Sequence, residues 1–517
     1  MRARRGTTVA VAVTAAVASA LTAGSASASS DTPPSTTGPS TTVAPYVLPV
    51  AAGVRTRSLF TVGDLAADDG YRMVGIPDGL GAYRQGKDLV VLENQELTTG
   101  IARRHGQPGA FVSRLVLDPK TGRVKAGSDL INPGVKYWDY PAGTYAAAPG
   151  LPAGATTGHS AAFARFCSSS LTEAGQLKNG SRGYAGQIYF ANEESGDEGR
   201  AFGVTLDGQA YQLPRLGLFS WENTQAAHNR SDTTLVLGNE DGGKGQLRAY
   251  VGTKQRAGSP VDQAGLTNGA LNVITVPGVL DATSSAAYGK GTSKPFTLAP
   301  VDWNKSGAAQ NVEAAAVGTT LNRIEDGSFD PKHPNDYYFV TTEGGSKTPD
   351  PTDPTNSVRD GGGLWRLSFT DIDRPELGGT LTLLLDGTEA PYLNKPDNLT
   401  IDGDGHLLVQ EDPGGNAHVA RIVSYRIKDG APAVLAQFDR AQFTAGLPGF
   451  ITADEESSGI IELSEGKFLF NAQVHAPSGD PETVQLGQLL TLSVDWDSVY
   501  DNDDDNDDDD DRENSGH

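Results

Sequence analysis

One pattern recurs along the chain and limits its fold more than any other feature. An apolar run rich in β-branched and aromatic residues ends in polar or acidic ones. A loop follows, then glycine or another small residue, then a second apolar run. The pattern occurs six times, at 88–96 and 109–118, 187–195 and 200–208, 233–241 and 245–252, 336–345 and 362–369, 405–414 and 420–427, and 466–474 and 487–494. Such runs, punctuated by Gly, Asp and Asn, read as strands rather than helices. Six strand pairs predict an all-β fold, a six-bladed β-propeller with long inserted loops; a large β-sandwich or two β domains are the alternatives. Consecutive copies begin about 46 to about 103 residues apart and average about 76, against ~40–45 for a compact blade, so much of the chain must be loop. No long amphipathic helix is expected.

Composition agrees with this reading. The 517 residues include 63 Gly and 30 Pro, as turn-rich β proteins do, and enough apolar residues for a large core. A single cysteine excludes an intrachain disulfide framework and an all-cysteine zinc site. A formal charge of −23 argues against a nucleic-acid partner.

Residues 1–28 read as a secretory signal. Arg2, Arg4 and Arg5 precede an apolar run, and Ala26-Ser27-Ala28 offers a cleavage site. The mature protein is thus expected to be secreted, free of the membrane and monomeric. Residues 29–54 read as a Ser/Thr/Pro-rich linker, 55–498 as the propeller body and 499–517 as a disordered Asp-rich tail. The tail is no EF-hand loop, because Asn506 stands where that loop needs glycine. The tail carries a net −9 and the leader +3, which leaves −17 on the body.

The strand ends of the repeat are acidic: Glu93 and Glu96, Glu193 and Glu194, Glu240 and Asp241, Glu343, Glu411 and Asp412. In a propeller, equivalent strand ends meet at one rim of the central channel. Carboxylates that converge repel one another and raise each other's pKa unless cations neutralise them, and hard cations such as calcium suit oxygen ligands. Cys167 adds one soft donor that would suit a transition metal such as iron. No G-x-S-x-G or H-E-x-x-H motif is present. Gly238 to Lys244 matches the start of a P-loop, but Gly245 occupies the Ser/Thr position, two acids would repel phosphate, and a strand rather than a helix follows.

Taken in chain order, these residues resemble a known family, the PhoX-type alkaline phosphatases. Asn94-Gln95-Glu96 resembles the family's Asn-His-Glu. Cys167 stands where the family has its metal-binding cysteine, and Glu193-Glu194 resemble the paired glutamates after it. Leu216 to Asn223 is similar to Leu-Gly-Arg-Phe-x-His-Glu, and Gly238 to Asp241 resembles a Gly-Asp-Asp turn. Arg323-Ile324-Glu325-Asp326 resembles Arg-Pro-Glu, and Pro396-Asp397-Asn398-Leu399 resembles Pro-Asp-Gly-Leu. Glu456 to Gly459 and Asn471 to Pro477 resemble the closing Glu-x-x-Gly and Val-Gln-His-Pro. Gln95 and Trp221 replace histidines of the family pattern, Leu218 an arginine and Ile324 a proline.

The resemblance implies an exported propeller that hydrolyses small phosphate monoesters with a buried iron–calcium centre. It implies Glu96, Cys167, Glu222 and Glu325 as metal ligands, with Glu194, Glu240, Asp241, Asp397 and Glu456 as further ones. Arg323 would hold the phosphoryl group, and Arg165 is the nearest basic residue to Cys167 that could assist. Two other function classes stay open. Pro396 to Leu399 before IDGDGHLLV also resembles a calcium-dependent lactonase of the gluconolactonase type, and a non-enzymatic propeller could bind a cell-surface partner.

Overall fold

The computed structural model describes residues 34–101, 103–104, 107–342, 362–414 and 419–500. The signal reading, the acidic tail and Glu343 lie outside these residues. The described chain is almost entirely β, and its sheets have a propeller-like arrangement. Each of the six sequence repeats forms a pair of adjacent antiparallel strands. An example is Asp88–Gln95 with Phe111–Leu117, which runs from Leu89 opposite Leu117 to Gln95 opposite Phe111. The longest helix, Gly307–Val317, has 11 residues.

Each pair is extended on one side by a strand the repeat did not show. These strands are Pro77–Gln85, Phe166–Leu171, Trp221–Ala226, Ile324–Phe329, Pro396–Ile401 and Glu455–Ser464. Each lies at an edge of its sheet, next to the first strand of a repeat pair. Two meanders share one nine-stranded sheet, because the long strand Ser293–Val301 pairs with both Ala270–Thr275 and Gly379–Leu385.

The apolar core lies between successive sheets. Val90, Leu92 and Val112 of one sheet pack with Phe166, Tyr189 and Phe202 of the next. Leu469 and Leu489 of the last sheet pack with Leu80, Val91 and Leu115 of the first. Fully burying a side chain of this kind contributes roughly 1.5–3 kcal/mol, so these seams hold the sheets together.

The N-terminal expectation needs correcting. Part of the expected linker is structured: Ser35–Thr37 pairs in parallel with Thr56–Ser58, and Val47–Pro49 pairs with Ala436–Phe438. Its Ser/Thr/Pro composition matters less than the free sheet edges it covers. Beyond it, Val54–Thr61 pairs with Gln485–Val494, so the first and last parts of the body share a single sheet.

Candidate metal centre

The six edge strands all carry an acid or the cysteine at their second position: Asp78, Cys167, Glu222, Glu325, Asp397 and Glu456. In five of them the same local distortion follows. Pro77 opposes Gln95, but the next pairing is Leu80 with Glu93, so Asp78 and Gly79 face the single residue Asn94. The shift recurs at Phe166/Ser169, Trp221/Thr224, Ile324/Gly327 and Pro396/Leu399. Two residues against one is a β-bulge, a device that re-aims side chains and is common beside functional sites. The sixth strand, Glu455–Ser464, is bulged later, between Ser458 and Ile460.

The re-aimed groups converge. One potential ligand atom from each of Asp78, Glu96 and Cys167 lies within 4.8 Å of the others. The same holds for Cys167, Glu194 and Glu222, and for Glu222, Glu325 and Asp397. Cys167 and Glu222 belong to two triads each, so seven residues form one continuous chain of donors, all buried. Asparagines hold the strands that present them: Asn94 donates to the Cys167 carbonyl at 2.6 Å, Asn471 to that of Asp78 at 2.6 Å, and Asn239 to that of Glu325.

The electrostatics are those of a site built for cations. Burial first, and then neighbouring carboxylates, push Glu194, Glu222, Glu325, Asp397 and Glu456 well above the ordinary carboxylate range. Burial and then Glu96 raise Asp78 to about 7. Burial and the surrounding acids also push the Cys167 thiol up. Several of these oxygens have no hydrogen-bond partner, among them Asp78 Oδ2, Glu222 Oε1 and Glu325 Oε2. Orphaned buried carboxylate oxygens are costly, and bound cations would satisfy them. Carboxylates suit hard ions, and one thiolate among them suits a transition metal. The donor set therefore fits a mixed metal centre.

Two arginines flank this chain of donors. Arg165 contacts Glu96 through a very short hydrogen bond and Glu194 at 2.7 Å. Arg323 contacts Asp241 at 2.8 Å and Glu325 at 3.1 Å. Both arginine side chains remain about two-fifths exposed, at 44% and 37%. Both residues also adopt left-handed backbone, with φ of 43° and 47°. That conformation costs a non-glycine residue roughly 1–2 kcal/mol and is held where the surroundings demand it.

Most residues singled out from the sequence thus lie together: Glu96, Cys167, Glu194, Glu222, Glu325 and Asp397 in the triads, with Arg165, Arg323 and Asp241 against them. Glu456 sits at the side, with one oxygen 3.7 Å from His475 Nε2 and its charge felt by Asp397. Glu240 does not join and is a correction. Its Oε2 accepts from Arg248 Nη2 and from the Gln246 backbone, both at 2.9 Å. Glu193 and Glu411 are held in the same way by Arg200 and Arg421. Asp78 was missed. Its one signal was that Pro77-Asp78-Gly79-Leu80 repeats the pattern of Pro396-Asp397-Asn398-Leu399.

The family model for alkaline phosphatase PhoX matches residues 190–459. Among solved structures, that of Pseudomonas fluorescens PhoX in complex with vanadate, a transition state analogue, is 12% identical. It superposes with a TM-score of 0.59 over 87% of this chain and 97% of that one. An α-L-arabinanase from Penicillium chrysogenum is 9% identical with a TM-score of 0.37, over 84% of this chain and 98% of that one. A gluconolactonase from Xanthomonas campestris is 12% identical with a TM-score of 0.33, over 86% and 91%. No curated protein matches the chain. Among the described residues, no helix is long and apolar enough to cross a membrane.

Proposed function

The chain belongs to the alkaline phosphatase PhoX family, whose members are phosphoric monoester hydrolases, and from that premise we propose a mechanism built on a multinuclear centre. Asp78, Glu96, Cys167, Glu194, Glu222, Glu325 and Asp397 would hold it, with Asp241 and Glu456 at its margins. The observation that carries this reading is the run of three triads sharing Cys167 and Glu222. Iron at the thiolate end and calcium among the carboxylates match the donor chemistry.

When bound, such ions neutralise phosphoryl oxygens and activate an oxygen nucleophile. The protein's own residues do the rest. Arg323 donates to both carboxylate oxygens of Asp241 and lies 3.1 Å from Glu325, and its exposed part can make charge-assisted, bidentate bonds to a phosphoryl group. The charge of Glu325 outweighs burial and pushes that guanidinium further up. Arg165 performs the same service from the side of Glu96 and Glu194; burial opposes its charge, and the two glutamates outweigh it. The bulges fix Asp78, Cys167, Glu222, Glu325 and Asp397 on strands rather than loops, which limits their reorganisation during turnover.

The architecture we propose is six blades, each led by one edge strand with its acid or cysteine at the second position. The leader at residues 1–28 supports export. Elemental analysis of protein purified without chelator, paired with hydrolysis of p-nitrophenyl phosphate, tests the reading. The expected result is calcium plus a transition metal, with both the transition metal and the activity lost in Cys167→Ser. Full metal content and activity in Cys167→Ser and Glu325→Ala would overturn it.

A further inference from the structure

Three long cations occupy one position of the repeat. Arg165, Arg323 and Lys395 each stand immediately before an edge strand. Each is in left-handed backbone, with φ of 43°, 47° and 44°. Each offers its carbonyl to the backbone N–H of a residue just past the neighbouring strand: Glu194 donates to Arg165, Thr342 to Arg323 and Asp412 to Lys395. Among the described residues, only one other non-glycine residue, Val484, has a positive φ.

The heads of the three differ. Those of Arg165 and Arg323 are engaged by carboxylates. Lys395 Nζ donates to the Pro413 carbonyl at 3.0 Å, and among the described residues no carboxylate lies within ion-pair distance of it. An ammonium carries three donors, so two are left over. Lys395 nevertheless acts on the same neighbourhood as Arg323. Burial holds Asp412 above the ordinary carboxylate range, and it is drawn back first by Lys395, then by Arg323 and His475. Asp412 thus sits in the field of both cations.

We propose that Lys395 is a specificity-determining residue: it binds a second anionic group, on the alcohol portion of a phosphomonoester whose phosphoryl group lies beside Arg323. The preferred substrates are then phosphate esters of acidic alcohols. This rests on the phosphatase reading. Arginine's planar fork suits a phosphoryl group, whereas a flexible lysine acts as a point charge and tolerates anions of varied shape. A body that carries −17 repels a doubly anionic substrate, which gives a third cation at this mouth a purpose.

The test uses 3-phosphoglycerate and glycerol 3-phosphate, which share a skeleton and differ in a carboxylate against a hydroxymethyl group. The metal-loaded full chain should favour 3-phosphoglycerate. Lys395→Met should lower the ratio of the two kcat/KM values by about fivefold, chiefly through KM, as expected for one half-exposed ion pair. Lys395→Arg should keep most of the preference. The ratio is internal to each sample, so the fraction of folded protein cancels, and Lys395→Gln serves should the methionine variant not fold. An unchanged ratio in these variants overturns the role of Lys395 alone. No hydrolysis of either ester by the wild type overturns the phosphatase reading as well.

Discussion

Two sets of carboxylates lie side by side in this protein and behave oppositely. Glu193, Glu240 and Glu411 each meet a buried arginine: Arg200 immediately before the adjacent strand, and Arg248 and Arg421 at the start of theirs. Glu194, Asp241 and Asp412 are their immediate neighbours in sequence, yet they turn toward the acidic mouth. Consecutive side chains of a strand leave on opposite faces, so one acid of each pair goes into the sheet body and the other to the site. The first set is neutralised one to one by buried arginines, whereas the second shares the partly exposed Arg165 and Arg323 with edge-strand acids that outnumber them. The second, with the edge-strand acids, depends on what binds. The contrast shows that burial of a carboxylate by itself says nothing about function; the source of the compensating charge does.

The comparison can be broken in several ways. The largest effect should come from stripping metal from the loaded protein: phosphatase activity should fall by roughly 10³-fold, the scale of losing a main electrostatic stabiliser of the transition state, as read by a chelator titration with metal add-back. Glu222→Gln should cost at least about 100-fold in metal affinity, since loss of even an outer partner of a ligand can cost that much. Glu240→Gln should leave metal content at the wild-type level. Loss of metal from Glu240→Gln would erase the distinction between the two sets.

Arg421→Met should destabilise the fold by about 3–5 kcal/mol, because it strands Glu411 as a buried, uncompensated charge. Activity per folded molecule should persist, as denaturant melts paired with assays would show.

A smaller effect concerns Glu93, which burial raises to about 7. The folded state then binds a proton that the unfolded state has released, so stability is full below about pH 4.3 and declines as pH rises through about 7. Glu93→Gln should flatten that decline by about 2–3 kcal/mol; an identical pH profile in the variant would refute the assignment.

Much of the architecture was legible because the strands of the repeat are apolar and β-branched. LVVL, IYF and LVL stay visible despite uneven spacing. The edge strands were not legible. FCSSSL, WENTQA and IEDGSF line a polar cluster, so the hydrophobic alternation that reveals a strand is absent from them. Their acids were reached through family resemblance, and Asp78, which no quoted motif covered, was not reached at all. Glu240 was misplaced because two adjacent acids look alike in a sequence. The cue that separates them is an arginine at or immediately before the start of the adjacent strand, at 200, 248 and 421.

The sheet shared by Val54–Thr61 and Gln485–Val494 has a consequence for biogenesis. The triad donors run from Asp78 to Asp397, with Glu456 beside them, so the full set is present only once most of the chain has been made. The final strands must arrive before the first can be locked, and contacts of such long sequence separation form slowly. On the proposed function, the metal centre would be completed late, after most of the chain has been made. A chain nicked or truncated near its C-terminus should lose its metal before it loses most of its strands.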